Sequence, residues 1–305
     1  VTEISFVKQN QINWQKWDAC ITSAHNSLPY AYSWYLNAVA EYTDALILND
    51  YEAVMPLVWL TKYGVRCIYQ PYYCQQLGIF SLKKLTTKTL NSFMQAMLSN
   101  AAYVDTNLNP AIAPVADKFD LLPKKNLLLE LNKPIDELKK NYAENTKRNI
   151  SKATKANMQF FESHDLNAFY NFYLPTLGNQ KLNFNAKDEK KLRALVKALF
   201  ENKMARLFVV AGTDNTWQAT MIMVQTPNRL INIINASSET GKKNGASHFL
   251  FHQVLSAFTE KNLLFDFEGS SIPGIARFYE GFGAYRNDFY HLKTTVIKRL
   301  AQRFL

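Results

Sequence analysis

ARLFVVAGTDNTWQATMIMVQTPNRLINIINAS, residues 205–237, contains three runs of apolar and β-branched residues separated by Gly/Asp/Asn and Pro/Asn punctuation. Short runs of this kind between turn residues predict an antiparallel meander. A polar loop with Gly241 and Gly245 follows. ASHFLFHQVLSAFTEKN then carries Phe249, Gln253/Val254 and Phe258 at helical spacing, and LLFDFE (263–268) reads as a strand.

The first half offers the same order with different residues. ALILND (45–50), YEAVMPLVWLT (51–61) and VRCIYQP (65–71) read as strands, TTKTLNSFMQAMLSN as a helix, and AYVDTNLN as a strand. A helical segment precedes each copy, SWYLNAVAEY in one and AKDEKKLRALVKALFEN in the other. This repetition of pattern, without residue identity, predicts an α/β chain of two tandem units with a mixed sheet in each. The expected division is 1–133 and 134–305, with Asn109 to Pro123 as a crossover, KNLLLELN (125–132) as a further strand, and one long helix from Pro134 onward.

A length of 305 residues suits two domains, and 48% hydrophobic content supplies their cores. No apolar run approaches the ~18 residues that span a bilayer, so no integral membrane segment is expected. Cys20, Cys67 and Cys74 have neither an even count nor metal-type spacing, which points to a reducing, cytoplasmic setting. A net charge of +10 and a pI near 9.3 favour polyanions or phosphorylated ligands.

Two segments concentrate that expectation. In the helix expected after Pro134, Lys139, Lys140, Lys147, Arg148, Lys152 and Lys155 outnumber Asp136, Glu137 and Glu144, and Arg148, Lys152 and Lys155 share one face. That face is either a phosphate-binding surface or a solvated one. The loop SSETGKKNGAS (237–247) joins a strand to a helix, where glycines, a helix N-terminus and Lys242 and Lys243 could meet an anion. No Walker pattern is present in it. His248 and His252 stand at i, i+4, a metal-ligand spacing, but without the H-E-x-x-H pattern they read as core or groove-lining residues.

FDFEGSSIPGIARFYEGFGAY (265–285) carries the chemistry. Asp266 and Glu268 are two apart in an expected strand, so both would face one side and either could accept a proton from a substrate ammonium. Glu268 is favoured because it lies nearer the loop. Ser270 and Ser271 lack the G-x-S-x-G context of a hydrolase nucleophile and are read as turn caps.

The second half resembles the GNAT acyltransferase superfamily. The resemblance lies in the meander, in the loop KKNGAS, which approximates [RQ]-x-x-G-x-[GA] with Lys242 first and Ser247 last, and in the helix ARFYEGFGA. Tandem units and KRNISKA (147–153) are similar to the FemAB-like branch, which pairs two GNAT-type domains. Where that branch often carries Lys in the final helix, this chain has Tyr279, and no long charged helical hairpin is apparent.

The resemblance implies the acyl-CoA N-acyltransferase fold and an N-acyltransferase that moves an acyl group to a primary amine by direct attack. The alternative it implies is an aminoacyl-tRNA-dependent transferase acting on peptidoglycan precursors. Apart from it, the basic helix 139–155 leaves a non-catalytic protein binding nucleic acid or another polyanion. No permanently bound cofactor is implied; acyl-CoA would be a co-substrate. Lys242, Lys243, Asn244, Gly245, Ala246 and Ser247 would bind it. Glu268 or Asp266 would take the amine proton, backbone N–H groups near 234–237 would meet the oxyanion, and Tyr279 would protonate the leaving thiolate. Arg148, Lys152, Arg277, Tyr72, Tyr73 and Gln75 are the expected acceptor contacts. The acceptor would be a small molecule or a cell-wall precursor. The first copy has no counterpart of the KKNGAS loop, so it is expected to be structural or acceptor-binding.

Overall fold

The computed structural model describes residues 3–179, 184–269 and 271–301. In chain order the first half forms β1 (Ile4–Val7), α1 (Trp14–Ser23), α2 (Ser33–Val39), β2 (Tyr42–Leu48), β3 (Ala53–Lys62), β4 (Val65–Tyr69), β5 (Phe80–Ser81), α3 (Thr87–Ser99), β6 (Tyr103–Leu108) and β7 (Leu122–Lys124). Next come β8 (Leu127–Glu130), α4 (Ile135–Lys140), α5 (Glu144–Lys155), β9 (Gln159–Ser163), α6 (Leu166–Asn179) and α7 (Ala186–Glu201). The chain continues through β10 (Ala205–Ala211), β11 (Trp217–Gln225), β12 (Arg229–Ser237), α8 (Glu239–Asn244), α9 (Ala246–Phe258) and β13 (Leu264–Asp266). It closes with α10 (Pro273–Glu280), β14 (Tyr285–Arg286), β15 (Phe289–Thr295) and α11 (Val296–Ala301).

Two mixed sheets result, built on one plan. The first runs β1-β2-β3-β4-β6-β15-β7, with β5 paired to β3; the second runs β9-β10-β11-β12-β13-β8-β14. In each, four antiparallel strands are followed by one parallel pairing, β4 with β6 and β12 with β13. The next strand in each sheet comes from the opposite half of the sequence: β15 enters the first, β8 the second. This is the tandem GNAT-like α/β architecture.

That exchange moves the expected division. One compact unit comprises residues 1–124, 191–198 and 288–305, and the other 125–190 and 199–287. A boundary at 133/134 therefore misplaces both exchanged strands. KNLLLELN is a strand, but its partners are β13 and β14. Local sequence encodes a strand; it does not encode which of two similar sheets has the vacancy.

In the second unit, β11 is buried from Ala219 to Val224, as a strand covered on both faces must be. Phe251, Phe265, Phe267, Tyr279 and Phe282 form an aromatic core beneath it. Phe251 stacks on Phe267 at 5.8 Å, and Phe267 meets Tyr279 at 4.9 Å. Each fully buried ring contributes about 2–3 kcal/mol of apolar transfer energy. The first unit's core joins Leu46, Met55 and Leu57 of its sheet to Phe93 and Met97 of α3, whose start is capped by Thr86 accepting from the N–H of Thr89 at 3.2 Å.

The single helix expected beyond Pro134 is two. The chain breaks at Asn141–Ala143, where Tyr142 is buried and the N–H of Ala143 donates to the carbonyl of Gly281 at 2.9 Å. Tertiary contacts interrupt a segment with no Gly or Pro of its own. No helix among the described residues is long and apolar enough to cross a membrane. All three cysteines are buried and unbridged, and burial raises the Cys20 thiol to about 11.

Candidate active site

The site begins where β12 and β13 part. They pair only from Arg229–Ile231 against Leu264–Asp266, while β12 continues to Ser237. Beyond Ile231, among the described residues, the side of β12 facing β13 therefore has no strand bonded to it. Its opposite edge stays paired with β11 through a bulge, because Ile222 faces Ile234 whereas Met223 faces Asn232. The extra residue, Ile233, changes the alternation of side chains.

This matters for two asparagines. In a regular strand, residues three apart point to opposite faces; across the bulge, Asn232 and Asn235 turn to the same one. The Asn232 side-chain amide donates to the Phe267 carbonyl at 3.0 Å and to the Tyr279 hydroxyl at 3.2 Å. Asn235 donates to Asn232 Oδ1 at 3.1 Å and to the Tyr279 hydroxyl at 3.4 Å. Tyr279 thus accepts two bonds, which leaves its own proton available to donate. Burial first, and the negative charge of Glu268 after it, push Tyr279 up to about 12, against the lowering effect of the two amides. At neutral pH it is a protonated donor.

Asp266 and Glu268 stand in different settings. The strand ends at Asp266, and Glu268 adopts a left-handed conformation with φ of 52°. Asp266 is fully buried, and both of its oxygens are engaged. Oδ2 accepts from Arg229 Nη1 at 2.8 Å; Oδ1 accepts from Asn126 Nδ2 at 2.9 Å and from the N–H of Glu268 at 3.1 Å. A carboxylate so saturated orients the turn rather than collecting protons from a substrate. Glu268 is half-buried at the strand end, close enough for its charge to act on Tyr279. Ser270 lies outside the described residues, and Ser271 is exposed.

The stretch read as the loop 237–247 contains a helix. Ser238 caps α8, accepting from the N–H of Gly241 at 3.0 Å, with Glu239 in the first turn and Lys242 and Lys243 in the last. That arrangement matches the helix dipole, so the sequence held the signal. Asn244 ends the helix, Gly245 turns left-handed with φ of 81°, and Ala246 opens α9. A Cβ on Gly245 would lie 2.3 Å from the Asn149 carbonyl oxygen of α5, so no other residue fits there without movement. Lys152 donates to the Lys243 carbonyl at 2.6 Å. The α8–α9 junction is thus closed by KRNISKA.

The other basic residues are partly engaged as well. Lys139 pairs with Asp136, Lys147 with Glu144, and Arg148 bonds Asn145. Because the run is split between α4 and α5, no continuous basic face over 139–155 forms on one helix. Arg277 is exposed on α10.

A cavity of about 270 Å³ lies between the free length of β12 and the two helices after it, lined by Thr176, Asn235, Ser237, Ser238, Lys242 and Ser247 among others. Ser237 and Ser247 hydroxyls are bonded at 2.6 Å. The cavity reaches Asn235, which touches Tyr279. It therefore brings Lys242 and Ser247 of the expected donor site beside the hydroxyl network.

Tyr72, Tyr73 and Gln75 belong to the first unit. Tyr72 is exposed, Tyr73 has φ of 59° and its carbonyl accepts from the Tyr35 hydroxyl, and the Gln75 carbonyl accepts from Asn107 Nδ2 at 2.9 Å. Among the described residues, His248 and His252 share no partner. His248 packs on Phe278 and Phe282, and burial lowers it to about 4; His252 is edge-on to Tyr142. Among the described residues, no group of three His, Cys, Asp or Glu side chains could hold a metal ion.

Asn232, Asn235, Asn126 and Arg229 were not singled out by sequence. Polar residues in an otherwise apolar strand, as in RLINIINAS, are the signal that could have found the first two.

Fold and site together define a tandem GNAT-type scaffold with a protonated tyrosine at its splayed strands. The chain is similar in structure to FemX, at 12% identity, with 98% of this chain and 99% of that one covered and a TM-score of 0.68. A conserved protein of unknown function from Bacteroides thetaiotaomicron matches at 10% identity, 95% and 100% coverage and TM-score 0.62. The structure of L-PGS from Bacillus licheniformis matches at 11% identity, 91% and 90% coverage and TM-score 0.60. At such identities the likeness is one of fold. No family model matches the sequence, and no curated protein does.

Proposed function

We propose that the chain is an N-acyltransferase that moves an acyl group from acyl-CoA to a primary amine by direct attack. The observation that carries the reading is the cavity beside the free length of β12, lined by Asn235, whose amide donates to the buried Tyr279 hydroxyl. Backbone groups freed by the splay could bind an extended amide-bearing arm as another strand would. The amine gives its proton to Glu268, its nitrogen forms the new C–N bond, and the carbonyl becomes an oxyanion. Backbone N–H groups of the bulged segment stabilise that charge. The oxyanion then collapses, the C–S bond breaks, and Tyr279 protonates the departing thiolate.

In this reading the second unit holds the donor. The acceptor in this reading is an amine-bearing small molecule or cell-wall precursor, met in the cytoplasm. Arg148 and Arg277 are candidates for contacting it.

A second reading takes aminoacyl-tRNA as donor, and one observation favours it. The junction that would cradle a pyrophosphate is covered by α5, with Gly245 against Asn149 and Lys152 on the Lys243 carbonyl. Calorimetric titration with acetyl-CoA, longer acyl-CoAs and charged tRNA separates the two. Saturable binding of an acyl-CoA supports the first, and binding of charged tRNA alone supports the second. Binding of neither removes the transferase reading.

A further inference from the structure

A second groove lies in the first unit. Its volume is about 320 Å³, within the range of small-molecule sites. Its floor is apolar, formed by Leu85 just before α3, by Leu90 in its first turn, and by Pro110 and Pro114 of the 3₁₀ segment Pro110–Val115. The polar lining residues are His25, Ser81 and Lys84, and none of the lining residues is acidic. Lys83 and Lys88 flank Lys84 in sequence, and all three are exposed.

The walls are held in place. His25 Nδ1 is 2.8 Å from the Ser81 carbonyl oxygen, so that nitrogen carries a proton and donates. Asn26 Nδ2 donates to the Ile79 carbonyl at 2.7 Å, and Asn109 Nδ2 donates to the same oxygen at 2.9 Å. Ser81 Oγ donates to the Lys83 carbonyl at 2.7 Å, which fixes the turn before Lys84. These bonds shape the groove without a ligand and lower the ordering cost of binding one.

An apolar floor under a rim that is only cationic or neutral is complementary to an acyl chain with an anionic head. We propose that this groove binds a medium- or long-chain fatty carboxylate, its chain on Leu85, Leu90 and Pro114 and its carboxylate beside Lys84. The site is independent of the transferase reading of the second unit.

Titration of the full chain with monomeric dodecanoate tests it. Saturable one-to-one binding is expected, with dodecanol weaker roughly tenfold or more because a charge-assisted bond is lost. Lys84→Glu should weaken dodecanoate by a similar factor. Ala113→Phe, at an exposed position on the groove wall, should abolish binding while the circular dichroism spectrum and Tm stay unchanged. Three results would overturn the proposal: no saturable dodecanoate binding, binding unaffected by both variants, or binding only to phosphatidylglycerol vesicles.

Discussion

The Asn232 amide spends both of its hydrogens on two fixed oxygens, the Phe267 carbonyl at 3.0 Å and the Tyr279 hydroxyl at 3.2 Å. It thereby ties β12 to the end of β13 at the point where they diverge. Replacing it with alanine strands a buried carbonyl and frees the phenol. Asn232→Ala should cost about 1–3 kcal/mol in denaturant unfolding. With an identified donor and acceptor, its kcat should fall roughly ten- to hundredfold with KM little changed. An unchanged kcat would remove Asn232 from the positioning of Tyr279.

Asp266 and Glu268 separate by function in the same assay. Glu268→Gln should lower kcat about 10²- to 10³-fold, the scale of lost general-base catalysis. Asp266→Asn leaves the Arg229 guanidinium without its carboxylate and should destabilise the fold by about 3 kcal/mol. The acid limb of its pH–rate profile should persist, because the proton acceptor is still present. Loss of that limb in Asp266→Asn, and its survival in Glu268→Gln, would reverse the two roles.

Sequence made the meander legible because β10, β11 and β12 each lie between strong turn signals. It also showed the second copy of the plan. It could not assign β8 and β15 to their sheets, since a strand's partner depends on topology and not on its own residues. β1 and β9, four and five residues long and only partly buried, are too short for alternation to mark them as strands. At the site, alternation placed Asp266 and Glu268 on one strand, but the strand stops at Asp266 and Glu268 is left-handed, so strand alternation does not extend to it. Asn232 and Asn235 were hidden for the complementary reason: three residues apart, they meet only because of a bulge.

Gly245 is required by its surroundings. Its φ of 81° opposes a side chain, and so does the Asn149 carbonyl oxygen, which would stand 2.3 Å from a Cβ at this position. Gly245→Ala should lower unfolding free energy by about 2–4 kcal/mol, combining backbone strain with overpacking. Gly274→Ala, where a Cβ would meet nothing within 4 Å, is the control and should be near neutral.

His248 gives the fold a pH dependence with a defined sign. Its folded pKa is depressed by burial from 6.5 to about 4, so between these values the unfolded chain binds the proton more readily. This contribution to stability is complete above about 6.5 and is lost as pH falls toward 4. Allowing for partial exposure, it amounts to roughly 1–2 kcal/mol. His248→Phe should therefore lose less stability than the parent between pH 7 and 4, measured by chemical unfolding at each pH. Equal losses would place the titration elsewhere.

Tyr279 has the opposite behaviour. Its folded value near 12 lies above the unfolded 10, so stability is full below pH 10 and declines as pH rises toward 12. Tyr279→Phe should remove that decline, and in a transferase assay it should reduce kcat. Full activity in Tyr279→Phe would end its role as the acid.

The central claim is that a donor lies along the free length of β12. Backbone amide NMR during titration with acetyl-CoA tests it most directly. The account predicts saturable shifts at Asn235, Ala236, Ser237 and Ser247, with Asn232 and Tyr279 following. Saturable binding that leaves these amides unmoved, or no binding of either acetyl-CoA or charged tRNA, would contradict it.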